Sequence, residues 1–147
     1  MSLVETLRRD FPAVLFVATD GIPRWLPEEK TIYYTDGDDA NLLHELGHAL
    51  LGHKSFTQDV ELLHSERDAW EKAREIGERY GVKISEKRIE DAMDKYRDWL
   101  HERSLCPDCG QTGLQRRSDS QYECFNCLTV WKANDARICA LRRKLAN

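Results

Sequence analysis

The sequence predicts an α+β fold: a small antiparallel-rich sheet near the N-terminus, longer helices after it, and a compact cysteine-bearing segment near the C-terminal end. Three observations predict it. Apolar and β-branched residues cluster in short runs between residues 13 and 35, separated by turn residues. Apolar residues then recur at helical spacing from about residue 40 to residue 100. Two Cys-x2-Cys pairs come after them, at Cys106/Cys109 and Cys124/Cys127.

Residues 2–10 suit a short helix packed through Leu3 and Leu7. Ala13–Thr19 (AVLFVAT) reads as a strand ending at the turn signal Asp20-Gly21. Ile22–Leu26 and Lys30–Thr35 (KTIYYT) read as the next two strands, separated by Pro27-Glu28-Glu29. The acidic Asp36-Gly37-Asp38-Asp39 ends the last strand and supplies an N-cap for a helix from near Ala40, which Gly52 stops. A second helix is expected over roughly Gln58–Tyr80, ended by Gly81. A third starts at the N-cap Ser85 and carries Ile89, Ala92, Met93, Tyr96, Trp99 and Leu100 on one face. A boundary near Glu102–Leu105 divides the chain into residues 1–102 and 103–147, the latter ending in a short basic helix after Asp135.

With 147 residues, 41% hydrophobic and 33% charged, the chain has the composition of a globular protein of one domain plus a small appendage. No run approaches the roughly 18 apolar residues that would span a bilayer. Met1–Asp10 contains Glu5 and lacks the basic-then-apolar order of a signal peptide, so the expected compartment is the cytoplasm, with no membrane partner. Residues 103–147 hold eight Lys/Arg against four Asp/Glu, so they carry +4 where residues 1–102 carry −8. If nucleic acid is a partner, it belongs at the basic end. Five cysteines in such a chain point to metal rather than disulfides. Cys139, outside the two pairs and flanked by Ile138, Ala140 and Leu141, reads as a buried inert thiol.

The first chemical motif is His44-Glu45-Leu46-Gly47-His48. Residues four apart share a helix face, so His44 and His48 can offer two imidazole nitrogens to one metal about 2.0–2.1 Å away. Glu45 sits one step round, where its carboxylate reaches a water held by the metal. Apolar Leu42, Leu43, Leu46, Ala49 and Leu50 surround these residues. A catalytic zinc needs a third protein ligand, and His53, Glu61, His64, Glu66 and Asp68 are the downstream candidates. On the second helix the apolar stripe runs through Leu62, Leu63, Ala69, Trp70, Ala73, Ile76, Gly77 and Tyr80. At about 100° per residue Glu66 lies in the middle of that stripe, whereas Asp68 and Glu61 lie roughly 160° and 140° away from it. A carboxylate on a buried face needs a positive partner, which a metal supplies and an Arg or Lys also would. Glu66 is therefore the expected third ligand. The longer HExxHxxGxxH pattern is excluded by Leu51 and Lys54.

LLHELGHALLGH (Leu42–His53) followed by SERDAWEKA (Ser65–Ala73) resembles the ImmA/IrrE family of zinc metallo-endopeptidases. The resemblance covers about Val14–Tyr80. It implies a zincin-type pair of active-site helices, and it makes the first acidic residue of the second segment, Glu66, the third zinc ligand. It also makes KTIYYT the pre-helix edge strand along which substrate is held, and implies a repressor-type transcriptional regulator as substrate class. The chain departs from the family at Trp70, where a small polar residue is usual, and at EIGERYGV after the second motif. A second resemblance is to SprT-type proteases, which join a small HExxH domain to a zinc ribbon and act on DNA-associated proteins. Their third ligand lies in a His-Gly-x-x-[FW]-like segment; His53-Lys54-Ser55-Phe56 lacks the Gly and lies too close.

Cys106-Pro107-Asp108-Cys109-Gly110 and Cys124-Phe125-Asn126-Cys127, with 14 residues between the pairs, resemble a zinc ribbon. Four thiolates close a tetrahedron, so this second zinc is structural. Arg116, Arg117, Lys132, Tyr122 and Trp131 suit contact with nucleic acid, with a protein substrate, or packing against the third helix.

The expectation is thus a zinc-dependent endopeptidase holding one catalytic and one structural Zn2+. His44, His48 and Glu66 bind the catalytic zinc and Glu45 acts as general base. Tyr33, Tyr34 and Arg24 precede the helix and are conceivable oxyanion donors. The alternatives are an SprT-like protease and a non-catalytic binding module on a peptidase-like scaffold.

Overall fold

A computed structural model describes residues 1–134 and 141–146. Its elements run α1 (Leu3–Asp10), β1 (Leu15–Ala18), β2 (Arg24–Leu26), β3 (Thr31–Tyr34), α2 (Asp39–Leu51), α3 (Asp59–Tyr80), α4 (Glu86–Ser104), β4 (Leu114–Gln115), β5 (Tyr122–Glu123), β6 (Val130–Ala133) and β7 (Arg143–Leu145). The fold is α+β with small, antiparallel-rich sheets, as the sequence predicts. It forms two compact units, Met1–Ser55 with His64–Glu90, and Phe56–Leu63 with Asp91–Asn147. The boundary expected near residues 102–105 falls inside the second unit. Among the described residues no helix is long and apolar enough to cross a membrane.

In the first unit the strand order is β1-β3-β2, with β1 parallel and β2 antiparallel to β3. β1 and β2, though consecutive across the turn at Asp20-Gly21, do not pair with each other. Thr31, Ile32 and Tyr34 of β3 are buried, whereas β1 buries only Phe16, so the strand with most to hide takes the centre. KTIYYT is consequently the central strand, and the edges are β1 and β2.

The helices begin and end where their caps dictate. Ser2 and Glu5 form a reciprocal capping box on α1. The Asp38 carboxylate accepts the Asn41 N–H at 3.1 Å and opens α2. Gly52, at φ 69°, closes it in the left-handed region that favours glycine. The Ser85 hydroxyl accepts the Arg88 N–H at 3.1 Å at the start of α4.

In the second unit β4-β5-β6-β7 form an antiparallel sheet. Tyr122 stacks on Trp131 with ring centroids 5.6 Å apart, and both pack with Cys106 and Cys124 in a small core. Asp59, Arg103 and Tyr122 form a buried polar network. The Asp59 carboxylate accepts Arg103 Nε–H at 2.9 Å and the Tyr122 hydroxyl at 2.5 Å. These partners tie residues 56–63 to the cysteine segment.

The basic helix expected after Asp135 gives way to a strand at its C-terminal end: Arg143–Leu145 form β7, paired with β6. The earlier part of that expected helix, residues 135–140 with Cys139, lies outside the described residues. Without β7, one edge of β6 would leave its backbone groups unpaired.

Candidate metal centres

α2 presents Leu42, Leu43, Leu46 and Gly47 to the interior together with His44 and Glu45. Gly47 decides how near α3 can come. A Cβ at this position would sit 2.5 Å from the Ala69 carbonyl oxygen, so glycine here and alanine opposite let the two backbones approach closely. Glu66 is one turn before Ala69, and the close approach carries its carboxylate to the two histidines.

His44 Nε2 lies 3.1 Å from His48 Nε2 and 2.9 Å from Glu66 Oε2, and His48 Nε2 lies 3.2 Å from Glu66 Oε1. Ligands about 2.0–2.1 Å from one tetrahedral centre stand about 3.3 Å apart, so the triangle fits a divalent metal. A second observation agrees. Glu66 Oε2 is fully buried and, despite its nearness to His44, receives no aligned hydrogen bond. Such an atom ordinarily has a partner, and a cation facing all three residues would be one. His44, His48 and Glu66 thus form a group able to hold a metal ion.

The other candidates lie elsewhere. His64 and Asp68 are exposed. Glu61 caps α3, accepting the backbone N–H groups of Thr57 and Gln58 at 3.1 and 3.3 Å. Tyr33 donates its hydroxyl to Glu29 at 3.0 Å and carries the Arg24 guanidinium over its ring at 4.5 Å. Tyr34 is buried.

Glu45 belongs to the site without belonging to the ligand triangle. Burial pushes its carboxyl up to about 7, partly opposed by His48 and by the Trp25 backbone N–H that donates to it. Glu66 goes the other way. Burial alone would raise it, but the adjoining His44 and His48 imidazoles hold it at about 2. Burial lowers His44, favouring the neutral imidazole, whereas for His48 the contact with Glu66 outweighs burial and raises it.

Two supports were not read from the sequence. Trp70 stacks on His44, with centroids 4.2 Å apart and planes 22° from parallel. The Arg88 guanidinium lies 5.1 Å from the Trp70 ring centre and pairs with Asp38, the cap of α2, at 3.4 Å. In the sequence Trp70 stands out as an apolar residue of the α3 stripe and as a departure from the family pattern, not as a partner of His44. Its spacing of four from Glu66, putting both on one helix face, was the available signal. The second support is His53, which sits against the His48 ring rather than in the ligand triangle.

In the second unit Cys106 and Cys127 bring their sulfurs to 3.6 Å, and Cys109 and Cys124 to 3.5 Å. Tetrahedral sulfur ligands about 2.3 Å from a metal stand about 3.8 Å apart, so this group also fits. The turns repeat: Gly110 N–H donates to the Cys106 carbonyl at 3.0 Å and Leu128 N–H to the Cys124 carbonyl at 2.7 Å. Both residues have positive φ, 77° and 64°. The Asn126 side-chain amide, then the Gln111 backbone N–H, lower the Cys109 thiol to about 6, toward the thiolate a metal requires.

No family model, curated protein or solved structure matches the chain.

Proposed function

We propose that this chain is a zinc-dependent endopeptidase, with catalytic zinc held by His44, His48 and Glu66 and structural zinc held by a ribbon of Cys106, Cys109, Cys124 and Cys127. The observation that carries the reading is the pairing of a three-residue metal group with Glu45, a buried carboxyl beside it that is not a ligand. Three protein ligands with one open position are the pattern of a catalytic zinc, and four thiolates that of a structural one.

When bound, zinc supplies a Lewis acid that makes water acidic and polarises a peptide carbonyl. The chain's own residues do the rest. Glu45 accepts the proton of the attacking water on a carboxylate oxygen and returns it to the departing amine. A carboxyl poised near neutral pH suits both transfers. Glu66 and the two imidazoles fix the metal, and Trp70 keeps the His44 ring in its plane. The zincin-type reading of α2 and α3 and a regulator as substrate come from the ImmA/IrrE resemblance.

The test is Glu45→Gln. The variant is expected to keep zinc and fold while losing at least about 100-fold in peptide hydrolysis. Hydrolysis at the unsubstituted rate would contradict the role of Glu45. An inert parent protein that nevertheless holds both zincs would favour the non-catalytic module. Retention on DNA that falls steeply with salt would favour the SprT-like alternative.

A further inference from the structure

One polar contact beside the metal group has no part in peptide hydrolysis as proposed. His53 Nδ1 lies 2.9 Å from His48 Nδ1, with the rings edge to face and their centroids 5.1 Å apart. Helical periodicity does not bring these residues together, since positions five apart point about 140° away from each other. Gly52 does. Its left-handed backbone reverses the chain, and the His53 N–H then donates to the His48 carbonyl at 3.1 Å. The His53 side chain is folded back onto the last turn of α2.

The geometry assigns the proton positions. His48 turns Nε2 toward His44 and Glu66, so as a ligand it offers the Nε2 lone pair and carries its proton on Nδ1. That proton points at His53 Nδ1. His44 has no such partner: its Nδ1 is buried without a hydrogen bond, and its ring is fixed by stacking on Trp70. The two imidazoles are thus oriented by different means.

We propose that His53 is a positioning residue: its Nδ1 accepts the His48 Nδ1–H and holds the His48 ring with Nε2 aimed at the metal. The proposal rests on the metal-binding reading of His44, His48 and Glu66. Outer partners of ligating histidines typically change metal affinity 10–100-fold.

The experiment measures zinc affinity by chelator competition on the full chain, together with the visible spectrum of the Co2+-substituted protein. The variants are His53→Ala, His53→Phe and His53→Asn. Alanine and phenylalanine remove the acceptor, the latter while still filling space, and each is expected to weaken the zinc held by the His44 group about 10–100-fold and to alter its Co2+ bands. Asparagine keeps an acceptor oxygen and is expected to recover most of the loss. Affinities within twofold of the parent in both Ala and Phe variants would overturn the proposal. Rescue by Phe equal to that by Asn would also overturn it, because packing alone would then be the device. A parent protein that binds zinc only at the cysteines would instead sink the metal-site reading, and this proposal with it.

Discussion

Glu45 and Glu66 are chemically alike and electrostatically opposite. Burial raises the first to about 7, and two histidines hold the second at about 2. Enzymes that use two carboxyls in two roles commonly separate them in this way. The shift also bears on the stability of the metal-free protein. A carboxyl raised above its ordinary value of 4.5 stabilises the fold fully below that value, and the contribution is lost as pH rises through about 7. Glu45→Gln has no such proton to lose. Without metal, the variant is therefore expected to gain on the parent between pH 4.5 and 8, by about 3 kcal/mol at the upper end. Urea unfolding across that pH range checks this; a constant difference would contradict the assigned burial. At this scale much was legible. The spacing of His44 and His48 is a property of any helix, and Glu66 stood out as a carboxylate inside an apolar stripe. The raised Glu45 was not legible, because burial comes from contacts no local pattern encodes. The His53 contact was hidden by a left-handed turn whose glycine looked only like a helix stop.

At the scale of elements, the crossing of α2 and α3 sets the distance between the histidines and Glu66. Gly47→Ala improves helix propensity by about 1 kcal/mol, yet its methyl meets the Ala69 carbonyl at 2.5 Å. The overpacking is expected to dominate, giving a net loss of about 1–2 kcal/mol and weaker zinc binding at the His44 group. Calorimetry with and without zinc reads both effects, and a more stable variant with unchanged affinity would contradict the close crossing. In the second unit, Asp59→Ala leaves Arg103 buried without its carboxylate and frees the Tyr122 hydroxyl. The expected cost is about 3–5 kcal/mol, read by denaturant unfolding, and a loss under about 1 kcal/mol would contradict the network. Helix limits were legible because Asp38, Gly52, Gly81 and Ser85 are local signals. Strand order was not. Asp20-Gly21 ends the first strand as a local signal, but which strands pair follows from the burial of β3, a long-range demand.

At the scale of the whole molecule, each unit is built around one metal-ready group. The second unit depends on its group more heavily, since its core of Cys106, Tyr122, Cys124 and Trp131 takes half its members from the ligand set. Removing zinc is therefore expected to abolish the hydrogen-exchange protection of β4–β6, as in small domains whose metal binding is coupled to folding. Persistent protection after chelation would contradict a structural role for that metal. The cysteine spacing made this unit legible as a metal module. The Asp59–Arg103 pairing was not, because its partners are 44 residues apart and neither belongs to a motif.

The most direct test of the central claim is zinc stoichiometry by elemental analysis of the purified protein beside its Glu66→Ala variant. Two zinc ions per chain are expected in the parent and one in the variant, with the cysteine site intact. One zinc per chain in both would contradict it, leaving His44, His48 and Glu66 as a buried polar cluster with no metal to bind.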